Sequence, residues 1–106
     1  MLTMLVTLVA AALLEVGGDA AIRRGLVRSA PAWMLLGGLA LVAYGLTVNT
    51  NRVVEFGRLM GAYIVVFFVV SQAIAIAFFA EWPSSSLIVG GALVVLGGIV
   101  IQLGPR

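Results

Sequence analysis

Few side chains in this sequence can take part in acid–base chemistry, and one of them lies inside a long apolar run. Glu15 follows thirteen uncharged residues, Leu2 to Leu14. An ionisable group at such a depth in a membrane segment costs at least ~2.5 kcal/mol to insert and usually marks a path for ions or protons. We therefore expect Glu15 to be a site where a proton and a cation compete, with a structural carboxyl bonded to a neighbouring helix as the alternative.

A second carboxyl lies one helical turn after the first. Asp19 shares a helical face with Glu15 and has Arg23 four residues further on. Oppositely charged side chains at this spacing stabilise a helix surface. The spacing favours a salt bridge at the helix end over direct coupling, so Asp19 is a secondary candidate.

Aromatic and hydroxyl groups elsewhere could complete a binding site. Tyr44 and Tyr63 can hydrogen-bond a carboxylate, and their rings attract organic cations by ~0.5–2 kcal/mol. Phe67 and Ser71 follow Tyr63 at intervals of four residues, on one helical face. Aromatic residues at this spacing also serve plain packing, so Phe67 and Ser71 are secondary candidates.

The composition limits the classes of protein to which the chain can belong. Of its 106 residues 63% are hydrophobic and 9% are charged, against roughly 45–50% and about 25% in soluble domains. The chain has no cysteine and no histidine, so we expect no metal site, no cofactor and no enzymatic activity. Its six arginines are scattered between apolar runs rather than clustered, which argues against nucleic acid as a partner.

Four apolar segments account for most of the length. They predict helices over residues 2–22, 32–48, 57–79 and 86–103. In lipid such segments must be helical to satisfy their own backbone. The expected fold is therefore all-α: a four-helix transmembrane bundle in one domain, residues 1–106, integral to a membrane that we take to be the bacterial cytoplasmic (inner) membrane.

The arginines give no preferred orientation in the membrane. Four spans place three arginines on each side: Arg52, Arg58 and Arg106 on one, and Arg23, Arg24 and Arg28 on the other. The positive-inside rule depends on the difference between such counts. A tie favours dual topology, in which the chain inserts both ways and pairs with an inverted copy; alternatively a partner or the insertion machinery fixes the orientation.

Paired glycines in the fourth segment predict a surface for self-association. They recur at a spacing of seven, on one helical face: Gly90, Gly91, Gly97 and Gly98. Small residues let helix backbones approach closely in lipid. Four short helices enclose side chains rather than a substrate cavity, so we expect a second copy of the chain to be needed. We expect the homodimer seam at these glycines, with packing inside one subunit as the alternative.

Several short motifs resemble one family of transporters. The chain is similar to the small multidrug resistance superfamily, of drug/metabolite transporter type, and most to its YnfA-like branch. The resemblance is carried by Leu13-Leu14-Glu15-Val16-Gly17-Gly18, Ala43-Tyr44-Gly45, Phe56-Gly57-Arg58, Ala62-Tyr63 and Pro105-Arg106. It implies an antiparallel homodimer whose Glu15 carboxylates exchange protons for a cationic, often aromatic compound, with Tyr63 and Tyr44 at the site. In place of the tryptophan of multidrug members, one turn after the tyrosine, the chain reads Ile64-Val65-Val66.

The sequence therefore predicts a proton-coupled exporter, an antiporter of small organic or aromatic cations that works by alternating access. Its expected partners are protons, the cation, membrane lipid and a second copy of the chain. Two alternatives stay open. One is a non-transporting helper subunit of a membrane complex, and the other is a carrier of a lipid-linked group.

Overall fold

The computed structural model describes residues 2–50 and 55–104, and within these ranges the chain is helical with no strand. Its four helices are α1 (Leu2–Arg28), α2 (Pro31–Val48), α3 (Phe56–Phe79) and α4 (Ser85–Leu103). Each is long and apolar enough to cross a membrane. The predicted all-α fold with four membrane spans is confirmed. The predictions that involve Arg52, Pro105 and Arg106 lie outside the described residues.

Helix α1 is longer than its apolar run. It ends at Arg28 instead of near residue 22, so that only Ser29 and Ala30 connect it to α2. The apolar run stops at Ile22, but arginine and leucine are good helix formers and carry the helix further. Ser29 ends it with a left-handed backbone, φ 52°, and the Ala30 N–H donates to the Gly25 carbonyl at 2.9 Å. Pro31 then starts α2, as expected for a residue without an N–H.

The chain divides into two compact units, each a pair of antiparallel helices. In the first, α1 and α2 cross where Gly18 meets Gly37. A Cβ atom placed on Gly18 would lie 2.9 Å from the Gly37 carbonyl oxygen, closer than a methyl group can approach. The two backbones are therefore in direct contact at this point, which only glycine permits.

The second unit packs side chains of one helix against glycines of the other. A Cβ on Gly61 of α3 would lie 3.0 Å from the Ile101 side chain, and Gly91 of α4 faces the ring of Phe68 in the same way at 2.8 Å. Gly98 faces Val65. In this unit the helices therefore contact each other through side chains that pack against glycines, rather than through their backbones.

The connection between α3 and α4 resembles the connection between α1 and α2. Ala80 has a left-handed backbone, φ 54°, and the Glu81 N–H donates to the Ala75 carbonyl at 3.0 Å. Ser84 caps α4, since its hydroxyl accepts from the Leu87 N–H at 3.3 Å. Serine favours this position, because its hydroxyl accepts from an N–H of the first helical turn that has no partner inside the helix.

Large apolar side chains cover the outer surface of both units. Residues such as Leu35, Val69 and Val100 are more than half exposed. Between residues 2–50 and 55–104 the buried side chains are apolar, and Tyr63 is the one among them that carries a hydroxyl. Such a surface has lipid as its natural solvent, which agrees with the four membrane spans.

Candidate functional site

The Gly18–Gly37 crossing positions Glu15 and Tyr44 near each other. Glu15 precedes Gly18 by ~4.5 Å along α1, and Tyr44 follows Gly37 by ~10.5 Å along α2, at 1.5 Å per residue. Because the helices are antiparallel, both residues lie on the same side of the crossing. Side chains tilt towards the N-terminus of their own helix, so those of Glu15 and Tyr44 lean towards each other and close the remaining ~6 Å along the axis.

The resulting site joins a carboxyl to a phenol within a membrane span. Tyr44 lies close enough to Glu15 for the carboxylate charge to act on its hydroxyl. Glu15 is partly exposed rather than sealed inside the unit. A carboxylate can accept a proton, a hydrogen bond from a phenol or the charge of an organic cation. The arrangement can therefore hold one positive charge, as a proton or as a larger cation, at a fixed point of α1.

Asp19 lies one turn nearer to the arginine-rich end of α1, and it is exposed. The secondary role predicted for it stays a prediction. Asp19 also provides a matched control for Glu15, because it is a carboxyl on the same helix at a different depth.

The aromatic candidates of α3 contact each other within the second unit. Tyr63 is 5% exposed, and its ring centroid lies 6.0 Å from that of Phe67 at an interplanar angle of 49°. This is an ordinary tilted aromatic pair. The Ser71 hydroxyl donates to the Phe68 carbonyl of its own helix at 2.7 Å. Participation of Tyr63, Phe67 and Ser71 in the Glu15 site stays a prediction.

The glycines of α4 separate into two sets. Gly91 and Gly98 face α3 within the same chain, which corresponds to the alternative of packing inside one subunit. Around Gly90 and Gly97 no atom of the described chain lies within 4 Å of an added Cβ. Packing inside one subunit thus accounts for Gly91 and Gly98 but not for Gly90 and Gly97, and the dimer itself stays a prediction.

Arg58 has a structural role that the sequence analysis missed. Its guanidinium donates to the carbonyls of Ile101 at 2.6 Å, Gln102 at 3.3 Å and Gly104 at 3.4 Å. Gln102 donates back to the Arg58 carbonyl at 3.0 Å, and Glu55 Oε1 lies 3.7 Å from Arg58 Nε. A cation at a helix C-terminus satisfies carbonyls that have no partner inside the helix. A signal was present, because the first turn of α3 must lie beside the last turn of α4 in an antiparallel pair.

No group of three or more potential ligands of a metal ion, histidine, cysteine, aspartate or glutamate, occurs within residues 2–50 and 55–104.

Comparisons with known proteins give a family. A family model described as "Uncharacterised BCR, YnfA/UPF0060 family" matches residues 1–106. Proteins named "UPF0060 membrane protein" are similar over most of both chains. The one from Streptomyces avermitilis is 34% identical, covering 92% of this chain and 88% of its own. The one from Mycobacterium marinum is 35% identical, covering 92% and 90%, and the one from Staphylococcus carnosus is 31% identical, covering 91% and 90%.

No solved structure matches the chain significantly. The relatives are bacterial and are named as membrane proteins, in agreement with the four spans and with the predicted inner-membrane location. The match over the full length, together with the YnfA-like motifs around Glu15, Tyr44 and Tyr63, shows that the chain belongs to the YnfA/UPF0060 family of membrane proteins.

Proposed function

We propose that the protein is a proton-coupled exporter of small organic or aromatic cations, with Glu15 as the site that proton and substrate share. The observation that carries this proposal is the carboxyl of Glu15 within the membrane-crossing helix α1, with the Tyr44 hydroxyl of α2 inside the range of its charge. A carboxyl at this position is costly to insert. Binding of protons and cations would account for a carboxyl at this costly position.

The mechanism follows from competition for one negative charge. Deprotonated Glu15 attracts a monovalent cation at 4 Å by about 4 kcal/mol at an effective dielectric constant of 20, whereas protonated Glu15 has no charge to offer. Binding of the cation therefore expels the proton, and return of the proton expels the cation. If the site opens to one side of the membrane at a time, each cycle exchanges protons for substrate.

Tyr44 adds selectivity to this exchange. Its hydroxyl can donate to the carboxylate when no substrate is bound, and its ring can contact a flat or greasy cation. Tyr63 of α3 is the second aromatic group proposed for the site. Both groups would favour organic cations over small hydrated ions, because aromatic rings cannot replace the water shell of a metal ion.

A second copy of the chain is part of the proposal. Four helices fill the space between them with side chains, so a translocation path needs the walls and the second Glu15 of a partner. The open face of α4 around Gly90 and Gly97 is the surface proposed for this antiparallel contact.

The test measures protons released when ligands are added to purified protein in weak buffer. Quaternary ammonium, guanidinium and polyaromatic cations form the panel. We expect release from the wild type and from Asp19→Asn, but none from Glu15→Gln, which keeps the shape of the side chain and removes the proton. Release from Glu15→Gln equal to that of the wild type would refute Glu15 as the shared site.

Transport is then measured in proteoliposomes with an imposed pH gradient and a cation that caused proton release. Uptake by the wild type and none by Glu15→Gln is the expected result, with dimers of both variants in detergent. Folded protein that stays silent across the panel, and that copurifies with an unrelated membrane protein, would instead favour a helper subunit. Competition by lipids alone would favour a carrier of a lipid-linked group.

A further inference from the structure

The end of the first unit where α1 meets α2 carries a set of positive charges that the proposed transport cycle does not use. Helix α1 has 27 residues, or ~40 Å at 1.5 Å per residue, which is ~10 Å more than the hydrocarbon core of a bilayer. The last turns of α1 therefore extend into the headgroup region. They carry Arg23, Arg24 and Arg28, all exposed.

Arg24 is held in place by an aromatic ring. Its guanidinium carbon lies 5.2 Å from the centroid of the Trp33 ring on α2, within the range of a cation–π contact. The helices can approach here because residue 25 is glycine: a Cβ at Gly25 would lie 3.0 Å from the backbone nitrogen of Met34 on α2. The ring fixes Arg24 without neutralising it, so its N–H groups keep their full capacity for an anion.

Arg28 lies one turn after Arg24 on the same face of α1. Neither Arg24 nor Arg28 forms a salt bridge with any residue in 2–50 or 55–104. Two guanidinium groups at this spacing can grip one phosphate, since each presents planar donors that match phosphate oxygens. Arg23 points from a different face of α1 and already has an interaction partner in the structure.

The adjoining start of α2 adds to the positive potential. Its N-cap, Ala30, offers no side-chain cap, and the first turn of the helix has no acidic residue. The partial positive charge of this helix end therefore faces no counter-charge from its own turn, which favours an anion next to it.

From these observations we propose that Arg24, Arg28 and Trp33 form a binding site for the phosphate group of an anionic phospholipid, at the membrane surface where α1 joins α2. The tryptophan orients one arginine and itself prefers the interface. A lipid is the expected source of this phosphate, because the last turns of α1 extend into the headgroup region, where phospholipid phosphates are concentrated. This site is independent of Glu15 and of transport.

The test uses the fluorescence of Trp33 as the reporter. A Trp82→Phe background leaves Trp33 as the single tryptophan, and the protein is reconstituted in phosphatidylcholine vesicles with increasing fractions of brominated phosphatidylglycerol. Brominated phosphatidylcholine gives the reference. We expect phosphatidylglycerol to be preferred beside Trp33 by about 25-fold, which corresponds to about five-fold for each of the two arginines.

The variants distinguish a specific binding site from a general effect of positive charge at the membrane surface. Arg24→Gln/Arg28→Gln should reduce the preference to near unity, while Arg23→Gln, which removes one charge from the same helix end, should leave most of it. If the double variant fails to fold, Arg28→Gln alone keeps the Arg24–Trp33 contact and should still lower the preference by about five-fold.

Two results would overturn the proposal. Equal loss in Arg23→Gln and Arg28→Gln would mean that any positive charge at this end has the same effect. Displacement of phosphatidylglycerol by millimolar inorganic phosphate, at an ionic strength matched with chloride, would identify a site for soluble phosphate instead of lipid.

Discussion

Neighbouring glycines on α1 should respond in opposite ways to the same substitution. A Cβ on Gly18 would lie 2.9 Å from the Gly37 carbonyl oxygen, while one on Gly17 has no atom within 4 Å in the part of the chain that the structure describes. The carbonyl oxygen belongs to the backbone of α2 and cannot turn aside as a side chain could. We therefore predict that Gly18→Ala forces the two helices apart and that Gly17→Ala does not.

The magnitude follows from a cancellation. Both substitutions gain the same helix propensity, about 0.5–1 kcal/mol, so the difference between them is the steric cost alone. Overpacking of this kind costs about 1–3 kcal/mol. The two variants should thus differ by about 5- to 150-fold in the equilibrium constant of unfolding, with Gly17→Ala at or above the stability of the wild type.

The assay is unfolding of the purified protein in mild detergent micelles by added SDS, followed by circular dichroism. A second readout is proton release by a cation, since separation of the helices at Gly18 also moves Tyr44 away from Glu15. Gly18→Ala should release fewer protons than Gly17→Ala at equal cation concentration. Equal stability and equal release in the two variants would refute a backbone contact at this crossing.

Three further predictions concern the second unit. Arg58→Gln should destabilise the protein by about 2 kcal/mol, because hydrogen bonds from a charged group are lost, and should speed amide exchange in the last turn of α4; unchanged exchange there would contradict the capping role. Ala80→Gly should stabilise the fold by up to ~1 kcal/mol, since glycine adopts the left-handed backbone at no steric cost, and a lower SDS midpoint would refute this. Gly97→Leu should abolish the dimer on size exclusion and leave the monomer helical, whereas Gly98→Leu should unfold the monomer by a clash with Val65; a dimer in Gly97→Leu would place the seam elsewhere.

Hydropathy alone was enough to predict the four helices, because each apolar run has to satisfy its own backbone in lipid. Hydropathy did not predict the end of α1, because it reports how much of a helix lies in lipid and not where the helix ends. The apolar run stops at Ile22, but residues of good helix propensity continue to Arg28. The start of α2 was predictable from Pro31, and the cap of α4 from the serines before it.

The partners of single side chains were harder to predict. The glycine repeat of α4 predicts close helix packing but not which glycine contacts which helix. Successive residues are rotated by 100° around the helix axis, so that Gly98 faces α3 whereas Gly97 faces away from it. The Arg58 contacts join residues more than forty positions apart, so they could be expected only from the antiparallel pairing of α3 and α4 and not from any local pattern. Glu15 was identifiable from the free-energy cost of placing a carboxyl in a membrane. Its proximity to Tyr44 could be derived only from the crossing point of α1 and α2.

That crossing point also sets a lever arm for α1. A tilt of about 10° around the Gly18–Gly37 contact displaces Glu15, ~4.5 Å from it, by ~0.8 Å, whereas Leu2, ~24 Å away, moves by ~4 Å. The side chains of Leu41 and Ile22 pack against Gly18 and Gly37 and hold the crossing as the pivot of such a tilt. The Glu15 carboxyl thus lies near the pivot of the hairpin, where a tilt that produces a large movement at the membrane surface produces only a small displacement.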